Sequence, residues 1–249
     1  MKTITLSNIK KTVLIAGLAF STSFAFAQET AVKSASTTKT TAIGTQKTWG
    51  TVDGVKYTGL VQGPSAAVAD LQIACVFEYT EGDIFSKEAL PAELNGLVHL
   101  DEALKGRLTE IRKTGKFKGR KLETFLITPD NKVLGAKKLL LIGLGDRNQF
   151  TPELMTEIGE IAAREALKLN VNTFAFASDL KDAGIDSPTA EVAGNVTKGI
   201  INEYKIQNGL KADRLEQFKP LTQVYLLAGP AFFEVAGGGI SDALSTYKK

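Results

Sequence analysis

The chain has 249 residues with 30 basic and 27 acidic side chains, and its first 27 residues contain three lysines but no acid. The remainder is therefore formally neutral, which removes the main support for a global nucleic-acid-binding role. One cysteine, Cys75, excludes an intrachain disulfide, and one histidine, His99, excludes a His-rich zinc site.

Residues 1–27 are predicted to be a secretory signal peptide. Lysines precede an apolar run at residues 13–20, and Ala25-Phe26-Ala27 is a small-x-small cleavage site before Gln28. The run is shorter than the ~20 apolar residues of a spanning helix, and a retained amphipathic anchor is the alternative. We therefore expect cleavage between Ala27 and Gln28, export to a periplasm or out of the cell, and no membrane insertion afterwards.

The segment that follows, residues 28–48, is rich in Ser, Thr, Lys and Ala and has no apolar period. This composition predicts a flexible leader. Globular composition begins at Trp49, and the remaining length, about 200 residues, is ample for one core.

Strands and helices are predicted to alternate through the rest of the chain. Apolar runs predict strands at residues 55–61, 71–77, 122–128, 138–143, 171–177 and 223–228. Between them, an apolar stripe predicts a helix through Leu100, Leu104, Leu108 and Ile111, and further helices start near Thr151-Pro152 and Ser187-Pro188. This order predicts an α/β domain of three layers with a largely parallel central sheet.

Few residues have side chains that suggest a catalytic or metal-binding role. Cys75 lies in the predicted strand 71–77 and is expected to be a buried small hydrophobe. His99 lies at the entry of a predicted helix, and because the chain has no Gly-x-Ser-x-Gly elbow we expect a structural role for it.

A basic segment extends over residues 105–121. It is expected to form a solvated helix face and loop, and an anion-binding patch is the alternative. Its basic side chains are Lys105, Arg107, Arg112, Lys113, Lys116, Lys118, Arg120 and Lys121.

The turn Gly143-Leu144-Gly145 follows a predicted strand and precedes a predicted helix, as in a dinucleotide-binding fold. The third glycine of that fingerprint is replaced by Asn148, and Asp146 adds a negative charge that Arg147 could offset. If the turn binds a ligand, the candidates are Gly143, Gly145, Asp146 and Arg147. We expect instead a structural corner.

Two longer stretches carry a family resemblance. Residues 99–127, HLDEALKGRLTEIRKTGKFKGRKLETFLI, and residues 137–177, KKLLLIGLGDRNQFTPELMTEIGEIAAREALKLNVNTFAFA, resemble the N-terminal domain of the leucyl aminopeptidase family. Residues 199–211, GIINEYKIQNGLK, are similar to a helix of that domain, with Ile206 where an aromatic residue is usual. The resemblance implies a macro-domain-like α/β sandwich with a mostly parallel, mixed sheet over residues 49–230, in which the Gly-Leu-Gly turn is a corner.

The same resemblance implies that the two-metal peptidase site of the family lies in a separate C-terminal domain. Its Asn-Thr-Asp-Ala-Glu-Gly-Arg signature does not occur in this sequence, so no catalytic residue, metal ligand or cofactor is expected. Residues 230–247 resemble a remnant of the linker helix, interrupted by Gly237-Gly238-Gly239, and residues 231–249 are expected to form a C-terminal helix or tail. The triplet is either part of a flexible tail or a functional site of close approach.

Three functions follow as expectations. The first is a non-catalytic exported module that binds a protein partner or a second copy of itself, since these domains help to assemble oligomers in the family. The second is a small-molecule binder for ADP-ribose-like or nucleotide ligands. The third is an enzyme, either an unrelated hydrolase or an accessory subunit of a split metallo-aminopeptidase. Fold alone does not separate them.

Overall fold

The computed structural model describes residues 40–130 and 132–247. The strands in these ranges are β1 Gln46–Val52, β2 Val55–Leu60, β3 Leu71–Val76, β4 Thr124–Ile127, β5 Leu139–Gly143, β6 Thr173–Ala177 and β7 Gln223–Leu227. The helices are α1 Gly96–Ala103, α2 Arg107–Lys113, α3 Leu154–Lys168, α4 Thr189–Ala212 and α5 Phe233–Ser245. The predicted signal peptide and residues 28–39 of the predicted leader lie outside the described residues.

These strands form one sheet in the order β1-β2-β7-β6-β3-β5-β4. The five strands from β2 to β5 in that order pair in parallel, and the edge strands β1 and β4 pair antiparallel to their neighbours. β3 and β5 are buried along their whole length, as expected for continuous apolar strands covered on both faces. The predicted α/β fold with a mostly parallel, mixed sheet is confirmed.

Helices cover both faces of the sheet. Ile73 and Cys75 of β3 point to a core that includes residues of α3, α4 and α5, whereas Ala74 and Val76 point to a core with α1 and α2. The alternation follows from the two-residue period of a strand. It produces the three predicted layers, and it buries Cys75 as expected.

The predicted stripe from Leu100 to Ile111 belongs to two short helices instead of one. α1 ends at Ala103 and α2 begins at Arg107, because Lys105 (φ 56°) and Gly106 (φ 79°) adopt left-handed conformations. Leu100, Leu104 and Leu108 still face the same core. The apolar pattern therefore predicts the buried side correctly and misses the break.

Two other boundaries differ from the predicted ones. β1 begins at Gln46, so the sheet includes the last residues of the segment whose composition is typical of a leader. α3 begins at Leu154 after a turn through Thr151 and Pro152, and no side chain caps its first turn.

The helix α5 is continuous through Gly237-Gly238-Gly239. A Cβ added at Gly237 would lie 1.9 Å from Cζ2 of Trp49, and one at Gly239 would lie 1.8 Å from the carbonyl oxygen of Ala190. A Cβ at Gly238 would meet no atom within 4 Å. Close approach to Trp49 and to α4 therefore explains the outer two glycines of the triplet.

Within the described ranges, none of the helices combines the length and the apolar character needed to span a membrane.

Candidate functional site

The Gly-Leu-Gly turn, the ligand site considered from sequence, uses its backbone groups within the protein. The N–H of Gly143 donates to the carbonyl of Glu123 at 2.8 Å, and that of Gly145 donates to the carbonyl of Gly119 at 2.9 Å. The N–H of Leu144 donates to the carbonyl of Val76 at 2.8 Å. A phosphate would have to compete with all three carbonyl acceptors.

Both positions of this turn require glycine on steric grounds. Gly145 has a φ of 77°, which side chains rarely adopt, and a Cβ at Gly143 would lie 2.0 Å from the carbonyl oxygen of Arg120. The turn thus packs directly on the loop at residues 119–121. These contacts favour the structural corner.

Asp146 and Arg147 follow the turn, and both contact the protein itself. The Asp146 carboxylate accepts a hydrogen bond from the backbone N–H of Asn148 at 2.9 Å. The Arg147 guanidinium donates to the carbonyl of Ala183. The four candidate residues lie side by side in the structure. Their polar groups form the hydrogen bonds within the protein that are described above.

The basic segment at residues 105–121 differs in part from the solvated face that was expected. The side chain of Arg112 is 1% exposed, forms an ion pair with Asp83 and donates to the carbonyl of Phe77 at 3.0 Å. Lys113 and Lys121 form exposed pairs with Glu81 and Glu157. Arg112 is a buried structural cation, which charge density along the sequence does not distinguish from its exposed neighbours.

A cavity of about 470 Å³ lies away from the Gly-Leu-Gly turn, at the same carboxyl-terminal end of the parallel strands. Its walls are the segments that follow β2, β6 and β7, with the start of α4 and parts of α1 and α5. In open α/β sheets the carboxyl ends of the strands are the usual ligand site, and the volume is that of a small-molecule pocket. Residues 143–147 do not line it.

Two carboxyl groups of the segment after β6 line this cavity. Asp179, 8% exposed, accepts a hydrogen bond from the backbone N–H of Cys75 at 3.0 Å. Asp182 lies at the start of α1, beside the backbone N–H groups of Gly96 and Leu97. The two aspartates are close enough that each shifts the pKa of the other.

Burial raises the pKa of both carboxyl groups. It raises the pKa of Asp179 well above its ordinary value, and the negative charge of Asp182 raises it further. Burial also raises the pKa of Asp182, although the hydrogen bonds from Leu97 and Gly96 oppose that rise. The pair therefore has a high free-energy cost of ionisation.

Asn95 positions this acidic loop against α1. Its side chain is fully buried, accepts from the N–H of Val98 as the N-cap of α1, and donates to the carbonyl of Asp182 at 2.9 Å. The same amide donates to the carbonyl of Ile84 at 3.1 Å. One side chain thus connects α1, the loop after β6 and the segment before α1.

The lining also contains Glu93, a lysine and a histidine. Lys181 forms an ion pair with Asp186, and its ammonium lies 5.7 Å from the ring centre of Phe232. His99, expected to be structural, lines the cavity from α1.

Sequence reasoning did not identify this site. A signal was present, since the acidic run Asp179, Asp182 and Asp186 follows directly after a buried strand. The other walls include residues 61–66 and 226–240, which lie about 115 and 50 residues from this run and which periodicity cannot bring together. Among the described residues, no group of three His, Cys, Asp or Glu side chains is placed to hold a metal ion.

Comparison with known proteins agrees with the fold. Residues 76–208 match the cytosol aminopeptidase family, N-terminal domain. The chain is 29% identical over 143 residues to a protein of Roseiflexus castenholzii named "Probable cytosol aminopeptidase", and 29% identical over 136 residues to one of that name from Synechocystis. These regions are 57% and 54% of this chain but 28% and 27% of the relatives. The chain thus spans less than a third of the length of these relatives.

Solved structures show the same architecture. A mutant of tomato leucine aminopeptidase matches with a TM-score of 0.53 and 21% identity, covering 75% of this chain and 34% of that one. An Oceanobacillus iheyensis macrodomain with MES bound matches with a TM-score of 0.51 and 15% identity, covering 81% and 98%. At these identities the likeness concerns the fold, and it confirms the macro-like sandwich. The family match extends over more than half of the chain, and the protein belongs to the cytosol aminopeptidase family through its N-terminal domain.

Proposed function

We propose that this protein is a non-catalytic, exported binding module that holds a small ligand in the cavity at the carboxyl ends of β2, β6 and β7. The observation that carries the proposal is the cavity itself, about 470 Å³ in volume. It combines apolar walls with a few convergent polar groups, the usual composition of a ligand site. Asp179 and Asp182 are the polar groups that would orient the ligand.

The non-catalytic part of the proposal is supported by how these carboxyl groups are used. Asp179 is held by the N–H of Cys75, and Asp182 is held by the first N–H groups of α1. Both are thereby fixed by the scaffold in positions suited to recognition. The peptidase activity implied by the names of the relatives is not part of the proposal, since the chain spans less than a third of their length.

Binding can be tested with the neutral fluorescent probe N-phenyl-1-naphthylamine. The wild-type protein should give saturable fluorescence enhancement. Ala193→Phe places a ring in the cavity from α4 and should weaken binding at least about tenfold, a loss of about 1.4 kcal/mol. Ala212→Phe, on the exposed last residue of the same helix, is the matched control and should bind as wild type does. Equal binding by all three proteins would contradict the proposed site.

A protein partner or self-association is a second candidate. Ile43 and Leu94 both line the cavity and are 73% and 69% exposed, so at least two exposed apolar side chains border it. Exposed apolar side chains in a group are typical of interaction sites. One form of this candidate is an accessory subunit for a separately encoded aminopeptidase chain. Light scattering of the purified protein tests self-association, and Ile43→Ser with Leu94→Ser should reduce any dimer observed.

Export is tested by the mass of the intact protein recovered from the producing cell. The predicted signal peptide gives a chain that begins at Gln28. Recovery of a chain that still begins at Met1 would contradict export by cleavage.

A further inference from the structure

We infer that the cavity selects a small apolar molecule that carries one positively charged amine, with Asp179 and Asp182 as the counter-charge. The inference rests on the proposed function and names the ligand class of that site. It follows from the charges of the lining, from the use of the nearby N–H donors, and from the apolar walls.

The charged residues of the lining are mostly acidic. Glu93, Asp179 and Asp182 line the cavity together with one lysine, Lys181. That lysine is already paired with Asp186, a side chain outside the lining. None of the ion pairs among the described residues involves Asp179 or Asp182. His99 also lines the cavity, and its interaction with Asp182 lowers the pKa of that carboxyl group. The lining therefore offers carboxyl groups with no lysine or arginine cation opposite Asp179 or Asp182.

A ligand ammonium would supply that cation. Burial raises the pKa of both aspartates, so their ionised forms are costly while no positive charge is close. An opposite charge within about 4–6 Å favours the ionised form of a carboxyl group. The ammonium would form charge-assisted hydrogen bonds with the two carboxylates, which are stronger than neutral ones.

The N–H groups that would attract an anion at α1 already face a carboxylate. Asp182 lies beside the N–H groups of Leu97 and Gly96 at the first positions of this helix, and they lower its pKa. An anionic ligand would have to displace an aspartate that the chain carries at this place. This arrangement disfavours the ADP-ribose-like and nucleotide ligands considered from sequence, whose phosphates need such donors.

The rest of the lining is suited to an apolar body. Phe176 and Leu226 are contributed by strands, Val192 and Val196 by α4, and Ile240 by α5, and all five are buried. The expected ligand therefore places its amine at the segment after β6 and its hydrocarbon part against α4 and α5. The N-terminus of α4 also borders the cavity and would favour an anion, so the test includes one.

Three compounds with one phenylbutyl body and different head groups test the inference. These are 4-phenylbutylamine, 4-phenylbutanol and 4-phenylbutyrate, each used to displace N-phenyl-1-naphthylamine from the full chain at neutral pH. The amine should bind at least about tenfold more tightly than the alcohol, and the carboxylate more weakly than the alcohol. An equal or tighter affinity for the carboxylate would overturn the inference.

Two variants connect the preference to the aspartates. Asp179→Asn and Asp182→Asn keep an oxygen acceptor for the N–H groups and remove the charge, so each should reduce the amine preference over the alcohol to less than about threefold. Asp70→Asn, at the opposite end of β3, is the control and should keep the full preference. A preference that survives both cavity substitutions would also overturn the inference.

The outcomes separate this inference from the proposed function. Binding of the alcohol without preference for the amine would overturn the inference and leave the cavity as a ligand site. Binding of none of the three compounds would overturn both. The comparison of the three compounds on the wild-type protein decides the case even where a variant does not fold.

Discussion

Asp179 combines a charged group with a position that burial makes unfavourable for charge. The residue is 8% exposed, its carboxyl accepts a hydrogen bond from the N–H of Cys75, and its pKa is raised by burial first and by Asp182 second. A raised pKa in the folded state means that the native protein holds the proton to higher pH than the unfolded chain does. Ionisation of this group therefore lowers stability as the pH increases.

Asp179→Asn should accordingly stabilise the protein more at neutral pH than at acidic pH. Below the ordinary aspartate pKa of about 4, the carboxyl is neutral in both states and the variant gains least. As the pH rises from that value through the raised pKa of the folded state, the wild-type protein loses stability and the variant does not. Melting temperatures measured at a series of pH values for both proteins check this.

Asp70→Asn gives a control with the opposite sign. The hydrogen bond from Lys137 lowers the pKa of Asp70, so its stabilisation is present above the ordinary aspartate pKa and is lost as the pH falls through the lowered value. That variant should be less stable than wild type at neutral pH, with a difference that shrinks in acid. The same pH trend for both variants would contradict the assignment.

Gly145 is required by its backbone conformation. A β-branched residue at a φ of 77° costs about 1–3 kcal/mol, and about 2–4 °C is lost per kcal/mol in a domain of this size. Gly145→Val should therefore lower the melting temperature by about 2–12 °C. If the turn is a corner, neither protein should give heat with millimolar NAD or ADP-ribose in calorimetry. Saturable nucleotide binding that disappears in a folded Gly145→Val protein would instead support a phosphate site.

At the scale of the secondary structure elements, the three glycines of α5 form an internal comparison. Gly238→Ala adds a methyl group to open space and removes the helix penalty of glycine, so it should stabilise the protein by about 1 kcal/mol. Gly237→Ala and Gly239→Ala gain the same propensity but place a Cβ within 2 Å of Trp49 or of the Ala190 carbonyl. Both should be destabilising, by about 1–3 kcal/mol each, the usual cost of overpacking.

Denaturant unfolding of the three α5 variants measures these effects. Stabilisation by all three substitutions would show that α5 does not pack as described. Destabilisation by Gly238→Ala alone would contradict the open space beside that residue.

The elements that sequence predicted best are those with strong apolar patterns. β3 and β5 are buried on both faces, and their boundaries agree with the predicted ones to within one residue. β1 was missed because its residues are polar and mostly exposed at the edge of the sheet. The break between α1 and α2 was missed because Lys105 takes a left-handed conformation that its residue type does not suggest.

The candidate site was not predictable for a different reason. Gly143 and Gly145 were visible as a motif, and the structure uses them in packing against residues 119–121. The cavity has no motif, because it is formed where Gly63, Asp179 and Gly229 meet from three distant segments. Its existence depends on the sheet order β2-β7-β6, which composition and periodicity do not specify.

At the scale of the whole molecule, membership of the family is one question and the chemistry available to the described residues is another. The relatives are named as aminopeptidases, and this chain spans less than a third of their length. A two-metal hydrolase needs several carboxylates fixed around both ions. The described residues contain no group of three potential metal ligands, and the pair Asp179–Asp182 is held by N–H groups of the scaffold.

The proposed non-catalytic role predicts that the chain shows no turnover of leucine p-nitroanilide, with or without added manganese or zinc. The physical reason is that one pair of carboxyl groups cannot hold two divalent ions and also activate a water molecule. Release of nitroaniline should equal that of a buffer blank, measured over hours at high protein concentration to detect slow turnover. The double variant Asp179→Asn with Asp182→Asn is the control for trace peptidases that copurify, since their activity would be the same in both preparations. Activity that is present in the wild-type protein and absent from a folded double variant would contradict the non-catalytic proposal and would place a metal or water-activating role on the two aspartates of the cavity.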